Sequence, residues 1–489
     1  MRKRAGRGAF RLERRRGLLS RNGAYPMNLK PYIGDRSFYR RMLAVMTPVL
    51  IQNVITNFVN LLDNIMVGQI GTEPMSGVAI VNQLLFVFNL CVFGGMAGAG
   101  IFTAQFFGHG DVSGVRHTFR IKLWIGAASA GLFLALLLRH GAALIGLFLH
   151  EGEEALDLAA TLAHGQAYLH VMLLELPLFA LSQIYSSTLR ECGETVLPMK
   201  AGVAAVLVNL AGNYVLIYGK LGAPALGVVG AAIATVLSRA VETLIVLLWS
   251  HRKPQRCPYL AGVYRSLRVP GALVKRVALL GTPLLLNELL WSAGMTVLNQ
   301  SYSLRGLEVV SALNISSTVS NLFFCAFFSM GVTVSILVGQ LLGAGELERA
   351  VDEDRKLIAC SVALCAGVGV LMALLAPLLP RLYNTTALVQ DLAGQLLLVS
   401  AAMMPVNAFT NTCYFTLRAG GKTGITFLFD SGFIWALCIP LALILTRATD
   451  LPILPIYILV QGLDLVKCGL GYVLVRSRRW VKNLVTEPR

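Results

Sequence analysis

The feature that most constrains this chain is a series of apolar runs, each about twenty residues long, that covers almost its whole length. About twelve runs can be distinguished, with centres near residues 52, 88, 130, 178, 208, 238, 286, 322, 367, 404, 435 and 464. About twenty residues of α-helix are enough to cross the roughly 30 Å hydrocarbon core of a bilayer. The pattern therefore predicts an all-α polytopic membrane protein with about 12 transmembrane helices.

The composition favours a membrane protein over a set of soluble domains. Hydrophobic residues make up 56% of the chain and charged residues 14%, whereas ordinary soluble domains average about 45–50% and about 25%. A soluble chain of 489 residues would also be divided into several domains. Here the apolar residues fall instead into runs of similar length.

The positive charges predict how the chain is oriented in the membrane. The net charge is +17, and Lys and Arg are concentrated in the N-terminal segment and in every second loop between the apolar runs. Loops rich in Lys and Arg stay on the cytoplasmic side, so both termini and the middle loop are predicted to be cytoplasmic. Because topology accounts for the charges, we expect no nucleic-acid partner.

Two further features concern processing and redox chemistry. Residues 1–26 contain no apolar segment of the kind found in cleavable signal peptides. The stretch that begins at Met27 resembles a natural protein start, so we expect residues 1–26 to be a disordered basic tail or an over-extended start. The nine cysteines are scattered without a CxxC pair, which predicts buried thiols and neither a disulfide framework nor a metal site.

The chain is internally duplicated. AQFFGHGD (104–111) recurs 235 residues later as GQLLGAGE (339–346), and TLRECGET (188–195) recurs at a shift of 228 residues as TLRAGGKT (416–423). Six helices per copy is an even number, so the copies are predicted to be parallel repeats, an arrangement used by transporters with a central cavity. The predicted segments are a basic cytoplasmic N-terminal tail (1–41), an N-lobe of six helices (42–250), a cytoplasmic linker (251–273), a C-lobe of six helices (274–476) and a cytoplasmic C-terminus (477–489).

Motifs for catalysis are weak. GGKT (420–423) lacks the upstream glycine of a phosphate-binding loop, and its counterpart CGET in the first half indicates a turn between helices. Gly94 and Gly98 form a GxxxG pattern, which favours close helix packing. We therefore expect neither an enzyme nor a cofactor. The repeated residues of the turn are Arg190, Gly193, Arg418 and Gly421.

Acidic residues inside the apolar runs are the strongest functional signal, because a charge at mid-bilayer costs about 2.5–3.5 kcal/mol on insertion scales. Glu242 has Arg239 three positions away, and Asp464 has Lys467 at the same spacing. Local ion pairs on one helix are the favoured explanation for both. The acids within the runs are Asp63, Glu175, Glu242, Glu288, Asp430 and Asp464.

The remaining acids differ in their surroundings. Glu175 is equally consistent with a cavity and a loop, and Asp430 lies near a helix start, where a carboxylate suits the helix dipole. Asp63 and Glu288 have no basic residue three or four positions away, and each lies on the first helix of its lobe. The amides near these two acids are Gln52, Asn53, Asn57, Asn60, Asn64, Asn287, Asn299 and Gln300.

A carboxylate among amides can bind a proton or Na⁺. Competition between that ion and an organic cation for one acidic group is a sufficient physical basis for antiport. The simpler alternative is that Asp63 caps a helix end near the outer interface.

The motifs together resemble the multidrug and toxic compound extrusion (MATE) family, bacterial type. The resemblance rests on the spacing from Thr47-Pro48 to Asp63, on the DNIMVGQIG that follows (63–71), and on the two repeated turns. It covers roughly residues 40–482 and includes FDSGFIWALCIPLAL (429–443) and RRWVKNL (478–484). It implies two six-helix lobes around a V-shaped cavity in the bacterial cytoplasmic membrane, and export of organic cations driven by H⁺ or Na⁺.

The resemblance also implies a site in each lobe. Asp63 corresponds to the first-helix carboxylate of the N-lobe ion site, with Asn209 and Asn213 as its fifth-helix partners and Thr235 expected beside them on the sixth helix. Glu288 occupies the position of the seventh-helix acid. Its tenth-helix companion, an Asp in the Na⁺-coupled branch, is Asn407 here. The presence of Asn407 instead of that Asp favours ion coupling in the N-lobe, either by H⁺ or by Na⁺ at Asp63.

The expected mechanism is rocker-like alternating access by a monomer in the lipid bilayer that exports small-molecule organic cations or amphiphiles. The alternatives are a flippase for lipid-linked oligosaccharides, which would carry cationic residues along its cavity, and a non-transporting receptor or scaffold, which would not need unpaired acids on matching helices. For three of the predicted cavity residues, Phe88, Phe324 and Met404, packing is the simpler explanation. The other two predicted cavity residues are Gln52 and Asn287.

Overall fold

The computed structural model of this protein describes residues 32–149 and 157–486. The predictions about residues 1–26 and a start at Met27 lie outside the described residues. Within them the chain is helical and contains no strand. The α-helices are α1 (Arg36–Gly68), α2 (Thr72–His109), α3 (Val112–Gly146), α4 (Leu158–Met172), α5 (Glu175–Glu191), α6 (Val196–Tyr218), α7 (Gly227–Arg252), α8 (Gly271–Ser303), α9 (Leu307–Ala344), α10 (Leu347–Leu375), α11 (Ala387–Ala419), α12 (Thr423–Phe427), α13 (Ile439–Ala448) and α14 (Ile453–Arg476).

The number of membrane spans agrees with the apolar runs. Among the described residues, eleven helical segments are long and apolar enough to cross a bilayer, or twelve if α4 and α5 count as one bent span. One of the eleven, Thr423–Ala448, joins α12 to α13 through two π-helical stretches, Leu428–Gly432 and Ile434–Cys438. The all-α prediction with about 12 spans is confirmed, and the chain is a multi-pass membrane protein.

The bend between α4 and α5 has a local cause. The two helices meet at 46°, and Pro177 lies in the first turn of α5. A proline lacks the backbone N–H, and its ring clashes with the carbonyl of the residue four positions earlier. That residue is Leu173, which directly follows the last residue of α4. Pro405, the counterpart of Pro177 in the repeat, lies within the single helix α11.

The residues between α7 and α8 are packed onto the N-lobe, which consists of α1 to α7. Arg120 of α3 donates from Nε to the Val263 carbonyl at 3.0 Å and from Nη1 to the Arg268 carbonyl at 3.1 Å. Tyr259 and Val263 are buried. The hydrophilic linker is therefore fixed to one lobe by an arginine that satisfies its backbone carbonyls.

The two lobes meet mainly through α1 and α2 of the N-lobe and α8 and α9 of the C-lobe, which consists of α8 to α14. A Cβ atom on Gly98 of α2 would lie only 2.5 Å from the Cα atom of Gly281 on α8. Gly94, one turn earlier, would place its Cβ 2.9 Å from the Cα atom of Leu285. The close packing predicted from the GxxxG pattern is confirmed, and the helices that it joins belong to different lobes.

Many of the lobe contacts lie at one end of the bundle. We call this the basic end, because the loops rich in Lys and Arg lie there; it contains the C-terminal ends of α2, α5, α7, α9, α11 and α14. At this end Arg41 of α1 forms a 2.7 Å ion pair with Glu353 of α10. Phe38, Met42 and Met46 of α1 pack into a cluster with C-lobe residues. The lobes are therefore held together at the basic end.

Candidate functional site

The side chains predicted for the N-lobe site come together in the structure. Asn213 of α6 donates from Nδ2 to Oδ1 of Asp63 on α1 at 2.6 Å. We assign the Asn209 amide with its nitrogen toward Asp63, 2.8 Å from Oδ1 and 3.1 Å from Oδ2, which leaves its oxygen 3.3 Å from the Thr235 hydroxyl on α7. Three helices therefore build one polar cluster around a single carboxylate.

The spacing along α6 explains the cluster. Asn209 and Asn213 are four residues apart and so lie on the same helix face, and both are buried. Thr235 back-bonds to the Ala231 carbonyl within α7 at 3.0 Å, which fixes the position of its hydroxyl oxygen. Asn213 Oδ1 is buried without a hydrogen-bond partner. The cluster thus offers an unused acceptor next to the carboxylate.

Asp63 has no cationic partner, since none of the ion pairs among the described residues includes it. This sets it apart from Glu175 and Glu242, the other N-lobe acids within the apolar runs. Arg239 Nη1 contacts Glu242 Oε2 at 2.5 Å, and Arg239 Nε contacts Glu175 Oε1 at 3.1 Å. The local pair predicted for Glu242 is confirmed. The position of Glu175, which the sequence left open, is in this buried ion-pair cluster.

The amides that precede Asp63 on α1 point in different directions. Gln52 Oε1 lies 3.5 Å from Arg190 Nη1 within the N-lobe. Asn57 donates to the Cys325 sulfur at 3.0 Å, and a similar bond runs from Asn53 to the Ser329 hydroxyl at 3.3 Å. Both acceptors lie on α9. These two amides therefore form contacts between the lobes rather than the surroundings of Asp63.

The C-lobe contains a different polar cluster. Asn287 of α8 donates from Nδ2 to Asp430 Oδ2 at 3.1 Å, and its oxygen accepts from the Ser431 hydroxyl at 2.8 Å. Lys467 Nζ of α14 contacts Asp430 Oδ1 at 2.9 Å. The prediction of a local pair between Lys467 and Asp464 is corrected, because the ammonium reaches across to the neighbouring helix. Asp430 is therefore fixed by a cation, unlike Asp63.

Glu288, like Asp464, is an acid of the membrane-spanning helices that has no hydrogen-bond or ion-pair partner among the described residues. It is half-buried, and no hydrogen bond or ion pair of the described residues involves its carboxylate. Arg418 and Asp430 are the charges close enough to act on it. The Cβ atom of a residue at Gly94 would lie 3.2 Å from Glu288 Cγ, so this acid faces the N-lobe. No hydrogen bond of the described residues joins it to Asn407, whose carbonyl accepts from the Thr410 hydroxyl at 3.1 Å.

Three predicted cavity residues are in fact core residues. Phe88 is fully buried between Phe133 and Phe179 in the N-lobe, at ring separations of 5.4 and 5.8 Å. Met404 is fully buried in a C-lobe cluster, and Asn287 is 2% exposed. Their side chains face the interiors of the lobes because each lobe has its own core. Phe324 is half-buried against Phe327, and Gln52 is also half-buried.

The repeated turn residues occupy equivalent positions in the two lobes. Gly193 has φ = 85° and Gly421 has φ = 72°, a left-handed conformation that glycine adopts without strain. The arginines that precede them are directed inward: Arg190 toward Gln52, and Arg418 over the Phe415 ring at 5.5 Å from its centroid. The sequence had identified the turn but gave no indication of the arginine contacts.

Comparison with known proteins places this geometry in context. The family model described as MatE matches residues 48–215 and 283–444. A relative from Pectobacterium atrosepticum, the multidrug resistance protein MdtK, is 27% identical over 409 residues, which is 82% of this chain and 86% of the relative. The probable multidrug resistance protein NorM of Thermotoga maritima is 24% identical over 448 residues, which is 91% of this chain and 94% of the relative.

Solved structures show the same fold. The outward-facing conformation of a multidrug resistance MATE family transporter superposes with a TM-score of 0.82 at 19% identity, over 93% of this chain and 98% of the other. A MOP superfamily transporter from Pyrococcus furiosus, described as having a binding pocket of reverse polarity, superposes with a TM-score of 0.80 at 19% identity over the same shares.

Proposed function

Because this chain belongs to the MatE family, we propose that it is a multidrug efflux transporter that exports organic cations or amphiphiles by antiport with H⁺ or Na⁺. The observation that carries the proposal is Asp63, a carboxylate inside a membrane-spanning helix that is held by two amides and has no cationic partner. Its setting is the bacterial cytoplasmic membrane, with both termini in the cytoplasm and the monomer as the transporting unit.

The chemistry of the cluster suits exchange of one cation for another. A lone carboxylate within a membrane protein is costly, and a bound proton or cation relieves that cost. Amide donors stabilise the ionised form less than a fixed positive charge would. Asp63 can therefore take up an ion and release it again, whereas Asp430 already has Lys467 as its cationic partner.

The lobe contacts support alternating access. They include an ion pair, apolar packing and helix crossings at the basic end, so the described conformation is closed there. On the orientation given by the positive-inside rule, the closed end faces the cytoplasm. A coupling ion moves the equilibrium only through its different affinity for the two conformations, and an almost complete change needs about 5.5 kcal/mol.

The flippase alternative is less well supported. Binding of a pyrophosphate needs free cationic side chains within the membrane, and the two mid-span candidates are already engaged. Arg239 contacts Glu175 and Glu242, and Lys467 contacts Asp430. A receptor or scaffold would have no need for the partnerless Asp63.

The test is uptake of a cationic dye into inside-out vesicles under imposed H⁺ and Na⁺ gradients, applied separately. We expect one of the gradients to drive uptake by the wild type, and Asp63→Asn to abolish it with the protein still inserted, because the amide cannot bind the ion. Asp464→Asn is the matched control, since it removes another intramembrane carboxylate, and it should retain uptake. Undiminished gradient-driven uptake by Asp63→Asn would refute the proposal.

A further inference from the structure

Two glutamines at the basic end, one in each lobe, form equivalent hydrogen bonds. Gln340 of α9 donates from Nε2 to the Glu191 carbonyl at 2.8 Å, and Gln105 of α2 donates from Nε2 to the Ala419 carbonyl at 3.0 Å. The donors are 235 residues apart and the acceptors 228, which are the shifts of the internal repeat. Each bond joins one lobe to the other, so the pair is reciprocal.

The backbones of α2 and α9 approach each other closely at the same place. A Cβ atom on Gly108 would lie 1.9 Å from the Gln340 carbonyl oxygen, and one on Gly343 would lie 1.9 Å from that of Gln105. Glycine at both positions lets the helices touch backbone to backbone. This contact brings each glutamine within reach of the opposite lobe.

The two acceptor carbonyls are suited to hydrogen bonds that form and break reversibly. Glu191 and Ala419 are the last residues of α5 and α11, and the last four carbonyls of a helix have no partner within it. Gln105 is fully buried, so in the closed arrangement no water reaches its bond. When the lobes separate, water can replace both glutamines.

The C-terminal segment, residues 480–486, strengthens one of the two bonds. The Leu484 N–H donates to Gln105 Oε1 at 2.7 Å, and its side chain packs with the N-lobe core. On the other side, Asn483 donates to the Gly343 carbonyl at 3.1 Å, and Trp480 is 1% exposed. The segment follows α14 of the C-lobe, so its bond to Gln105 of the N-lobe is a second hydrogen bond between the lobes at this residue.

We propose that Gln105 and Gln340 are positioning residues that form a reciprocal latch, which holds the basic end closed, and that residues 480–486 lock its Gln105 half. The proposal rests on the proposed function in one respect: it regards the closed basic end as one of the two conformations of an alternating-access transporter. Both of these bonds between the lobes must break before the basic end opens. Because Gln105 has the additional bond from Leu484, its half is the stronger one.

The test is amide hydrogen exchange of the full-length protein in lipid nanodiscs, for wild type, Gln105→Met and Gln340→Met. Methionine keeps the length of the side chain and removes its hydrogen bonds. Gln390→Met is the matched control, because Gln390 also donates to a backbone carbonyl, that of Tyr383 at 3.0 Å, but within one lobe and at the opposite end. Exchange requires neither a substrate nor an ion gradient, so failure of the latch is distinguishable from failure of the antiport proposal.

We expect exchange roughly fivefold faster, as for loss of one ordinary hydrogen bond, in peptides at the basic end of both lobes. These are the ends of α2, α5, α9 and α11, and the effect of Gln105→Met should be the larger one. Residues 480–486 should exchange faster in Gln105→Met, and Gln390→Met should leave all these peptides unchanged. A change confined to the mutated helix, or no change, would overturn the latch. Should a methionine variant unfold, Gln340→Glu provides the same test, since an ionised carboxylate cannot donate to Glu191.

Discussion

At the residue scale, the partners of an acid decide what it can do within the membrane. Asp63 and Glu175 are both carboxylates inside apolar helices of the N-lobe. Glu175 shares the Arg239 guanidinium with Glu242, whereas Asp63 accepts hydrogen bonds from amides only. The first arrangement holds a structure together, and the second leaves a charge to be balanced by an ion. The sequence distinguished Asp63 by its lack of a nearby basic residue, but it could not identify the partner of Glu175, which lies on another helix.

Replacement of Arg239 tests the structural arrangement. Arg239→Ala leaves Glu175 and Glu242 buried without a cation, which should lower the free energy of unfolding by about 3–5 kcal/mol. The measurement is thermal unfolding in detergent. Arg478→Ala is the control, because Arg478 pairs with Glu348 at the surface and should contribute less than about 1 kcal/mol. Equal losses in the two variants would contradict the assignment.

At the element scale, glycine positions decide where helices from different lobes can touch. The crossing of α2 and α8 depends on Gly98 and Gly281, and that of α2 and α9 on Gly108 and Gly343. Apolar patterning predicts that these helices cross the membrane, but it contains no information about their neighbours. The GxxxG pattern of α2 indicated a close contact, and only the folded chain shows that the partner is in the other lobe.

Gly98→Ala should separate α2 from α8. The added Cβ would lie 2.5 Å from the Cα atom of Gly281, and overpacking of this kind costs about 1–3 kcal/mol. We expect a lower unfolding temperature and reduced efflux of a cationic dye. Gly131→Ala on α3 is the matched control, because nothing lies within 4 Å of its Cβ position, and it should be neutral or stabilising. A Gly98→Ala protein as stable as the wild type would argue against the close crossing.

At the scale of the whole molecule, the lobes are joined at the basic end by several kinds of contact. These include the Arg41–Glu353 ion pair, the helix crossings and the reciprocal glutamine bonds. Separation of the lobes at this end, as the proposed rocker-like mechanism requires, must therefore break these contacts together.

Asn57→Cys provides a way to hold the lobes in this conformation. The Asn57 amide nitrogen lies 3.0 Å from the sulfur of the native Cys325 on α9, so a cysteine at position 57 would direct its thiol toward Cys325. We expect mild oxidation to cross-link the lobes and stop efflux, and a reducing agent to restore it. The same variant with Cys325→Ala should be insensitive to the oxidant. Full efflux under oxidising conditions, with the cross-link formed, would exclude rocking of the lobes.

The sequence by itself determined the membrane class, about 12 spans, the duplication and the distinct character of Asp63. These follow from local quantities: the length of an apolar run, the positions of charges along the chain and the spacing of residues on one helix. The tertiary structure decided that Lys467 contacts Asp430, that Phe88 and Met404 are core residues, and that Gln105 and Gln340 join the lobes. Each of these depends on the rotation and depth of a helix relative to its neighbours, and that arrangement is set by packing between segments far apart in the chain.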